Sequence, residues 1–382
     1  MIVYIITKLE LGGAQKVCLT LAKEVADSIP TTLISGPDGV MVQQAKEQVK
    51  NLHLLPSMKR NVSLRALWTE VKNFFAIVGI LKRLKKTDPQ LIVHTHSTKA
   101  GIIGRWGAFF AGVTHRIHTV HGYSFHDHQG WLAWAANMVP EYITSFITTH
   151  FICVSEHDKK TGSRLLPGFA KKCSVIRAAV DYQAFYKPTF LPAYTAEKPF
   201  IIGTISCFKP QKNLFDLLQA FELVHQTMIT QGYPAPKLEI IGDGEQRPRI
   251  EAWIHEHHLQ EHIRLLGWQT DVAPFLQYWD LFALSSLWEG LPCSVVEARL
   301  SGVPVIAYNV GGIAEVITDD HNGYLITPGD TKTLAAKILA LALEPEKQHA
   351  LAGTREDLSA FDNKIMVKKH TTLYNSLLSN NK

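Results

Sequence analysis

The sequence predicts an α/β protein made of two doubly wound domains, and three observations carry that prediction. The chain has 382 residues, more than one ordinary hydrophobic core covers. Short apolar runs alternate with longer amphipathic stretches in both halves, the pattern of β-α-β units on a parallel sheet. Between the halves, residues 187–199 read KPTFLPAYTAEKP; the prolines and the lack of periodicity mark a linker.

Taken in order, residues 2–7 form the first strand and residues 13–26 the helix after it. Residues 91–94, 116–120 and 151–154 are further strands of the first half. The alternation restarts with strands at 201–205, 238–241, 263–265, 281–284 and 303–307. Ligands of such sheets bind beyond the carboxyl ends of the strands, so the loops after these runs are where functional residues belong.

Apolar residues make up 46% and charged residues 19% of the chain, a globular composition and not a disordered one. Five cysteines, Cys18, Cys153, Cys173, Cys207 and Cys293, are scattered and odd in number. That argues against a disulfide framework or a zinc site and for a reducing cytoplasm. The apolar start is closed by Lys8 and Glu10, which reads as a buried strand and not a signal peptide. No stretch reaches the ~18 apolar residues that span a bilayer. Residues 131–151 are the longest ambiguous stretch, broken by Asn137, Pro140 and Glu141.

Net charge is +5, unevenly spread: residues 1–190 hold 23 Lys and Arg against 12 Asp and Glu, and the remainder 16 against 22. The basic half either meets an anionic surface, such as lipid headgroups or phosphates, or carries ordinary solvated charge. The stretch 64–86 mixes Trp68, Val71, Phe74, Phe75 and Leu81 with Arg65, Lys72, Lys82, Arg83, Lys85 and Lys86. It is either a basic amphipathic helix lying in a membrane interface or a sheet-covering helix with its charges in water. Peripheral contact with an anionic membrane at its cytoplasmic face is therefore one expectation; a nucleic-acid partner is not.

The chemistry concentrates after the strand at 281–284. There Ser285-Ser286-Leu287-Trp288-Glu289-Gly290-Leu291-Pro292 leads into a helix that contains Glu297. Gly290 and Pro292 make the turn, and Pro suits a first helical turn. The free N–H groups and positive dipole end of that helix form an anion site. Glu289 and Glu297 add acceptor oxygens suited to sugar and ribose hydroxyls. This Glu-x7-Glu pair, with E-G-L-P inside it and S-G-V-P-V-I-A after it, resembles glycosyltransferase family 4, retaining enzymes of the GT-B fold.

That resemblance spans nearly the whole chain and implies two Rossmann-like domains facing each other across a cleft. Residues 1–186 would form the acceptor-side domain and 200–364 the nucleotide-sugar domain, with residues 365–382 a helix crossing back to the first. It implies that Glu289 contacts the donor sugar, that Glu297 with Gly290, Leu291 and Pro292 holds the donor, and that Gly12 and Gly13 of Leu11-Gly-Gly-Ala-Gln15 lie near its phosphates. Lys212, in Lys209-Pro-Gln-Lys212, resembles the lysine that neutralises the donor diphosphate, a task suited to a point charge. Where the family commonly has arginine this chain has Cys207, so Lys209 supplies a second positive charge or the leaving group has one cationic partner. His121, in His118-Thr-Val-His121-Gly, resembles the histidine beside the donor sugar. Gly242 and Gly244 resemble the nucleotide-site turn, and Gly267 and Trp268 the stretch that meets the nucleobase. The Gly311-Gly312 pair and Glu315 read as structural.

His126-Asp127-His128 lacks the spacing of a zinc site, and no D-x-D triplet occurs, so no metal ligand and no cofactor is expected; the nucleotide-sugar is a substrate. The expected reaction moves a hexosyl or N-acetylhexosaminyl unit, from UDP more than from GDP, to a glycan or polyprenyl-linked glycan in surface polysaccharide assembly. Two rivals are an epimerase of the same fold and a non-catalytic nucleotide-sugar-binding protein. The first would lack the E-G-L-P context, and the second would not need Glu289, Glu297, Lys212 and His121 together.

Overall fold

The computed structural model describes residues 1–56, 58, 64–187, 197–354 and 356–379; for 64–67 only the backbone. The chain divides into two units, Met1–Ala179 with Asn363–Lys382, and Val180–Asp362. Of the expected linker at 187–199, residues 188–196 lie outside the described residues.

The first unit runs β1 (Ile2–Ile5), α1 (Gly13–Glu24), β2 (Thr31–Ser35), α2 (Val42–Gln48), β3 (Leu52–Leu54), α3 (Leu64–Thr87), β4 (Ile92–His96), α4 (Thr98–Phe110), β5 (His115–Val120), α5 (Trp131–Ser145), β6 (His150–Cys153), α6 (Glu156–Leu165) and β7 (Cys173–Val175). Its strands form a parallel sheet in the order β3-β2-β1-β4-β5-β6-β7. The order reverses beside β1, so the carboxyl ends of β1 and β4 flank a topological switch point. Val3, Ile5, Ile34 and Val93 pack against Ile77, Ile80 and Leu81 of α3 and Ala100 and Ala108 of α4. Helix α3 thus does cover the sheet on one side.

The second unit runs α7 (Tyr182–Phe185), β8 (Ile201–Ile205), α8 (Leu214–Thr230), β9 (Lys237–Ile241), α9 (Arg247–Glu256), β10 (Ile263–Gly267), α10 (Ala273–Leu276), β11 (Leu281–Leu284), α11 (Cys293–Leu300), β12 (Val305–Tyr308), β13 (Gly323–Ile326), α12 (Thr331–Leu343) and α13 (Pro345–Gly353). Its parallel sheet follows β10-β9-β8-β11-β12-β13, again doubly wound with β8 and β11 at the reversal. Leu238, Ile240, Leu281, Ala283 and Ile306 form the core with Leu217, Leu218 and Phe221 of α8 and Leu334 and Ile338 of α12. The last helix, α14 (Asn363–Ser379), belongs to the first unit.

Periodicity locates the elements it names to within a few residues but passes over β2, β3, β7 and β13. The run Thr31-Thr-Leu-Ile-Ser35 is wholly buried, yet its hydroxyls hide it from an apolar scan; the Thr31 hydroxyl is satisfied by donating to Ala22 O, 2.7 Å away. Residues 131–151 are not broken at Pro140: α5 runs through it, and Glu141 is buried rather than interrupting. The Arg105 guanidinium donates to both carboxylate oxygens of Glu141, at 2.8 and 2.7 Å, a fork geometry matched to a carboxylate.

Candidate functional site

In the second unit the site forms where β8 and β11 end. After β8, a 3₁₀ turn (Pro210–Lys212) closes on Asn213, which adopts left-handed φ of 44°. This turn is stitched to the loop after β11. The Ser285 hydroxyl reaches Asn213 O at 2.9 Å, Leu287 N donates to Gln211 O at 2.9 Å, and Gln211 Nε2 donates to Trp288 O at 2.7 Å. The result seats Lys212 Nζ on Glu289 Oε1 at 2.5 Å, with both side chains largely buried. Burial pushes the Lys212 ammonium down, but the Glu289 carboxylate and its hydrogen bond outweigh it and hold the group above the usual lysine range. The lysine is therefore a fixed positive charge at neutral pH.

The loop containing Glu289 is held from its far side by Gly311-Gly312. Gly312 N donates to Gly290 O at 2.7 Å. Gly311 has φ of 56°, and a Cβ there would lie 1.9 Å from Glu289 O. The glycine pair read as structural is thus the backing of the loop. Helix α11 then begins after Pro292, its positive end toward the loop, with Glu297 buried within it.

Beside this, Gly242 N donates to Gly267 O at 2.8 Å, and Phe208 N donates to Asp243 O at 2.9 Å. A Cβ on Gly242, at φ of 132°, would lie 2.0 Å from Ser206 O, and one on Gly244 2.7 Å from Phe208 O. Both glycines are therefore required by close backbone approach; Gly267, at φ of 67° with open space around it, is only favoured by its left-handed backbone. Trp268 follows, partly exposed. Cys207 sits close enough to influence Lys212. Lys209 is half-buried at the start of the 3₁₀ turn.

In the first unit, Gly12 and Gly13 open α1 after β1, and His121 follows β5. Gly12 is extended, at φ of −153°, so its backbone does not demand glycine. His121 Nε2 and His96 Nδ1 are hydrogen-bonded at 2.9 Å. Behind them, His94 bonds Tyr374 OH of α14 at 2.6 Å and Thr119 Oγ1 at 2.7 Å, and stacks with His370. Burial, then the neighbouring imidazoles, hold His94 and His96 well below the usual histidine range and push His121 down to about 3; burial alone pushes His370 down to about 4, against a backbone hydrogen bond with Met366 O that favours its charged form. These rings are neutral at pH 7 and act as directional donors and acceptors.

Each unit thus gathers its own predicted residues: Lys212, Glu289, Gly290 and α11 in one, Gly12, Gly13 and His121 at the carboxyl edge of the sheet in the other. Sequence reasoning passes over Ser206 and Ser286, which directly follow β8 at one residue and β11 at two. Both hydroxyls are buried and lack a hydrogen-bond partner among the described residues, which marks them as candidate ligand contacts. It also passes over His96, which lies inside a strand rather than in a loop. Among the described residues no group of His, Cys, Asp or Glu is arranged to hold a metal, and no helix is long and apolar enough to cross a membrane.

The model of the family described as Glycosyltransferase Family 4 matches residues 11–184, and that described as Glycosyl transferases group 1 matches residues 190–355. The chain is 30% identical over 329 residues to an Escherichia coli UDP-Gal:alpha-D-GlcNAc-diphosphoundecaprenol alpha-1,3-galactosyltransferase, covering 84% of this chain and 82% of the relative. It is 24% identical to a Campylobacter jejuni N,N'-diacetylbacillosaminyl-diphospho-undecaprenol alpha-1,3-N-acetylgalactosaminyltransferase, over 81% and 82% of the two chains. Anabaena Alr3699/HepE, solved with UDP and glucose, has a similar fold at a TM-score of 0.79 and 19% identity, covering 98% and 99% of the two chains.

Proposed function

The chain belongs to glycosyltransferase family 4, with the GT-B fold, and on that premise we propose that it is a retaining transferase moving a hexose or N-acetylhexosamine from a UDP-sugar to a lipid-linked glycan in surface polysaccharide assembly. The observation that carries the donor chemistry is Lys212 fixed on Glu289 before the positive end of α11. A diphosphate leaving group gathers negative charge as the glycosidic bond to it breaks. A preorganised ammonium and a helix N-terminus stabilise that charge without reorganising. This is the reason for reading the reaction as metal-independent.

In this reading Glu289 accepts hydrogen bonds from the donor sugar, which also hold its carboxylate in place on Lys212. Glu297 receives the ribose hydroxyls, Gly242, Gly244, Gly267 and Trp268 hold the nucleotide, and Gly12 and Gly13 approach the phosphates. The Ser206 and Ser286 hydroxyls are added to the donor contacts, and Lys209 supplies the second positive charge that Cys207 does not. His121, neutral, offers a ring nitrogen to the sugar. The C1–O bond to the diphosphate breaks as the acceptor oxygen bonds C1 on the same face, and the acceptor proton passes to the departing phosphate. The relatives compared above are transferases, and nothing in them favours an epimerase or a binding-only protein.

A thermal-shift screen across UDP-, GDP-, ADP- and dTDP-sugars tests the donor, because a ligand of the folded state alone raises the melting temperature. The UDP-sugars are expected to give the largest rise. Transfer to a synthetic diphosphate-lipid acceptor, with the product anomer read by NMR, tests the rest. An inverted product would refute retention, and turnover undiminished in Glu289→Ala would refute the site.

A further inference from the structure

Helix α5 is inside out. Its buried residues are Glu141, Thr144 and Ser145, while Trp131, Leu132, Val139, Tyr142 and Ile143 are exposed, with Phe146 just beyond its end. Trp131 is 76% and Phe146 64% exposed. At 3.6 residues per turn these side chains fall within an arc of about 120° on one face. The helix is fastened to the unit through polar groups: the Arg105–Glu141 fork and the Trp106 indole, which donates to Thr144 Oγ1 at 3.0 Å. A soluble helix ordinarily buries its apolar stripe; this one turns Glu141, Thr144 and Ser145 inward beside the partly buried Trp134 and Met138 and leaves its larger apolar arc outside.

The apolar surface does not stop at α5. Trp106 lies 6.1 Å from Phe110, and Phe110 lies 5.8 Å from Phe74 of α3, measured between ring centroids. Phe109 and Phe110 of α4 and Trp68, Val71 and Phe75 of α3 are also exposed. The outer arc of α3 that holds those three continues into Lys72, Lys82, Arg83 and Lys86, all exposed, with no acidic residue among the described residues of that arc. Aromatic rings beside an unopposed basic cluster match the interfacial region of an anionic bilayer: rings enter the headgroup level and cations meet the lipid phosphates.

We propose that α5, the end of α4 and the outer face of α3 form one docking surface for an anionic lipid bilayer. This deepens the reading of a lipid-linked acceptor and takes its purpose from it, since docking brings the enzyme to the plane where such an acceptor lies. The contact is peripheral, with side chains of α5 entering the interface and the lysines of α3 adding attraction that salt screens.

The test is flotation of the full chain with vesicles of phosphatidylcholine containing a third phosphatidylglycerol, at low and high salt. Wild type is expected to float at low salt. The variant Leu132→Ser/Ile143→Ser/Phe146→Ser is expected to partition at least about 100-fold less, from three apolar side chains left out of the interface. The variant Lys82→Glu/Arg83→Glu/Lys86→Glu is expected to lose at least about 100-fold on these vesicles, at about fivefold for each basic residue removed, and to match wild type on neutral ones. Both should keep wild-type transfer to a short water-soluble acceptor. Wild type remaining unbound, or either variant floating like wild type, overturns the proposal. So does light scattering showing a wild-type dimer that the serine variant dissolves, for then a second copy covers the face. Vesicle binding without transfer to any acceptor would instead overturn the functional reading and leave the surface standing.

Discussion

Gly311→Ala offers the sharpest test of how the Glu289 loop is held. The substitution has two costs that the structure separates. A left-handed residue with a Cβ is disfavoured by about 1–2 kcal/mol, and the added Cβ would stand 1.9 Å from Glu289 O. Reaching even 3.0 Å, still a tight contact, requires a shift of about 1.1 Å, and the atom that must give way is the backbone of the residue paired with Lys212. A misplacement of about 1 Å costs about 100-fold in rate, or about 2.7 kcal/mol of transition-state stabilisation. The expected outcome is a kcat/KM for sugar transfer about 100-fold down, with a native circular dichroism spectrum. Gly329→Ala is the control: its φ is 85°, and an added Cβ meets nothing within 4 Å among the described residues. It pays the same strain, lowers the melting temperature, and should leave turnover near wild type. Full activity in Gly311→Ala would refute the role given to this glycine, as would equal losses in the two variants, which would assign the effect to stability alone.

Lys212→Met is expected to lower kcat by about 100- to 1,000-fold, the scale for losing one preorganised stabiliser of developing charge; an effect of only a few-fold in initial-rate assays would remove Lys212 from the chemistry. Breaking the buried Arg105–Glu141 fork by Glu141→Gln should destabilise the protein by about 3–5 kcal/mol, read as a lower midpoint in urea, with partial recovery in Arg105→Met/Glu141→Leu. The histidines make the first unit acid-sensitive. Each folded pKa lies below the ordinary value of 6.5, so between the two the unfolded chain binds more protons. Their stabilisation is complete above about pH 6.5 and is lost as pH falls toward about 4 and 3 for His370 and His121, at up to about 1.4 kcal/mol per pH unit for each group. Asp280 of the second unit, raised to about 7 by burial, works the other way: its unfolded form binds fewer protons above pH 3.8. Melting temperatures from pH 7 to 5 should fall, and fall less steeply in His370→Gln; a flat wild-type profile would contradict the buried cluster.

Most residues proposed for the donor side were legible because they lie in loops that follow strand ends and are marked by Gly, Pro or a charge; Glu297 lies inside the helix after such a loop. Lys212 and Glu289 could be named from such loops, 77 residues apart, but their pairing could not, because it depends on Ser285 and Gln211 tying two loops together. His96 escaped notice for a related reason. A histidine inside a strand looks like a sheet residue until the neighbouring strand places His121 within 2.9 Å of it.

The sequence by itself determined the class of fold, the repeated strand–helix alternation and which loops carry the candidate site residues, since these rest on local periodicity and local turn residues. Tertiary structure decided which groups face one another and which face outward. Residues 131–145 show the difference most plainly. Their apolar content implies burial, and their Pro140 and Glu141 imply a break. The folded chain does neither, because Arg105, fully buried on α4, needs a carboxylate. Satisfying that buried charge turns Glu141 inward, and the helix's apolar side must then face out.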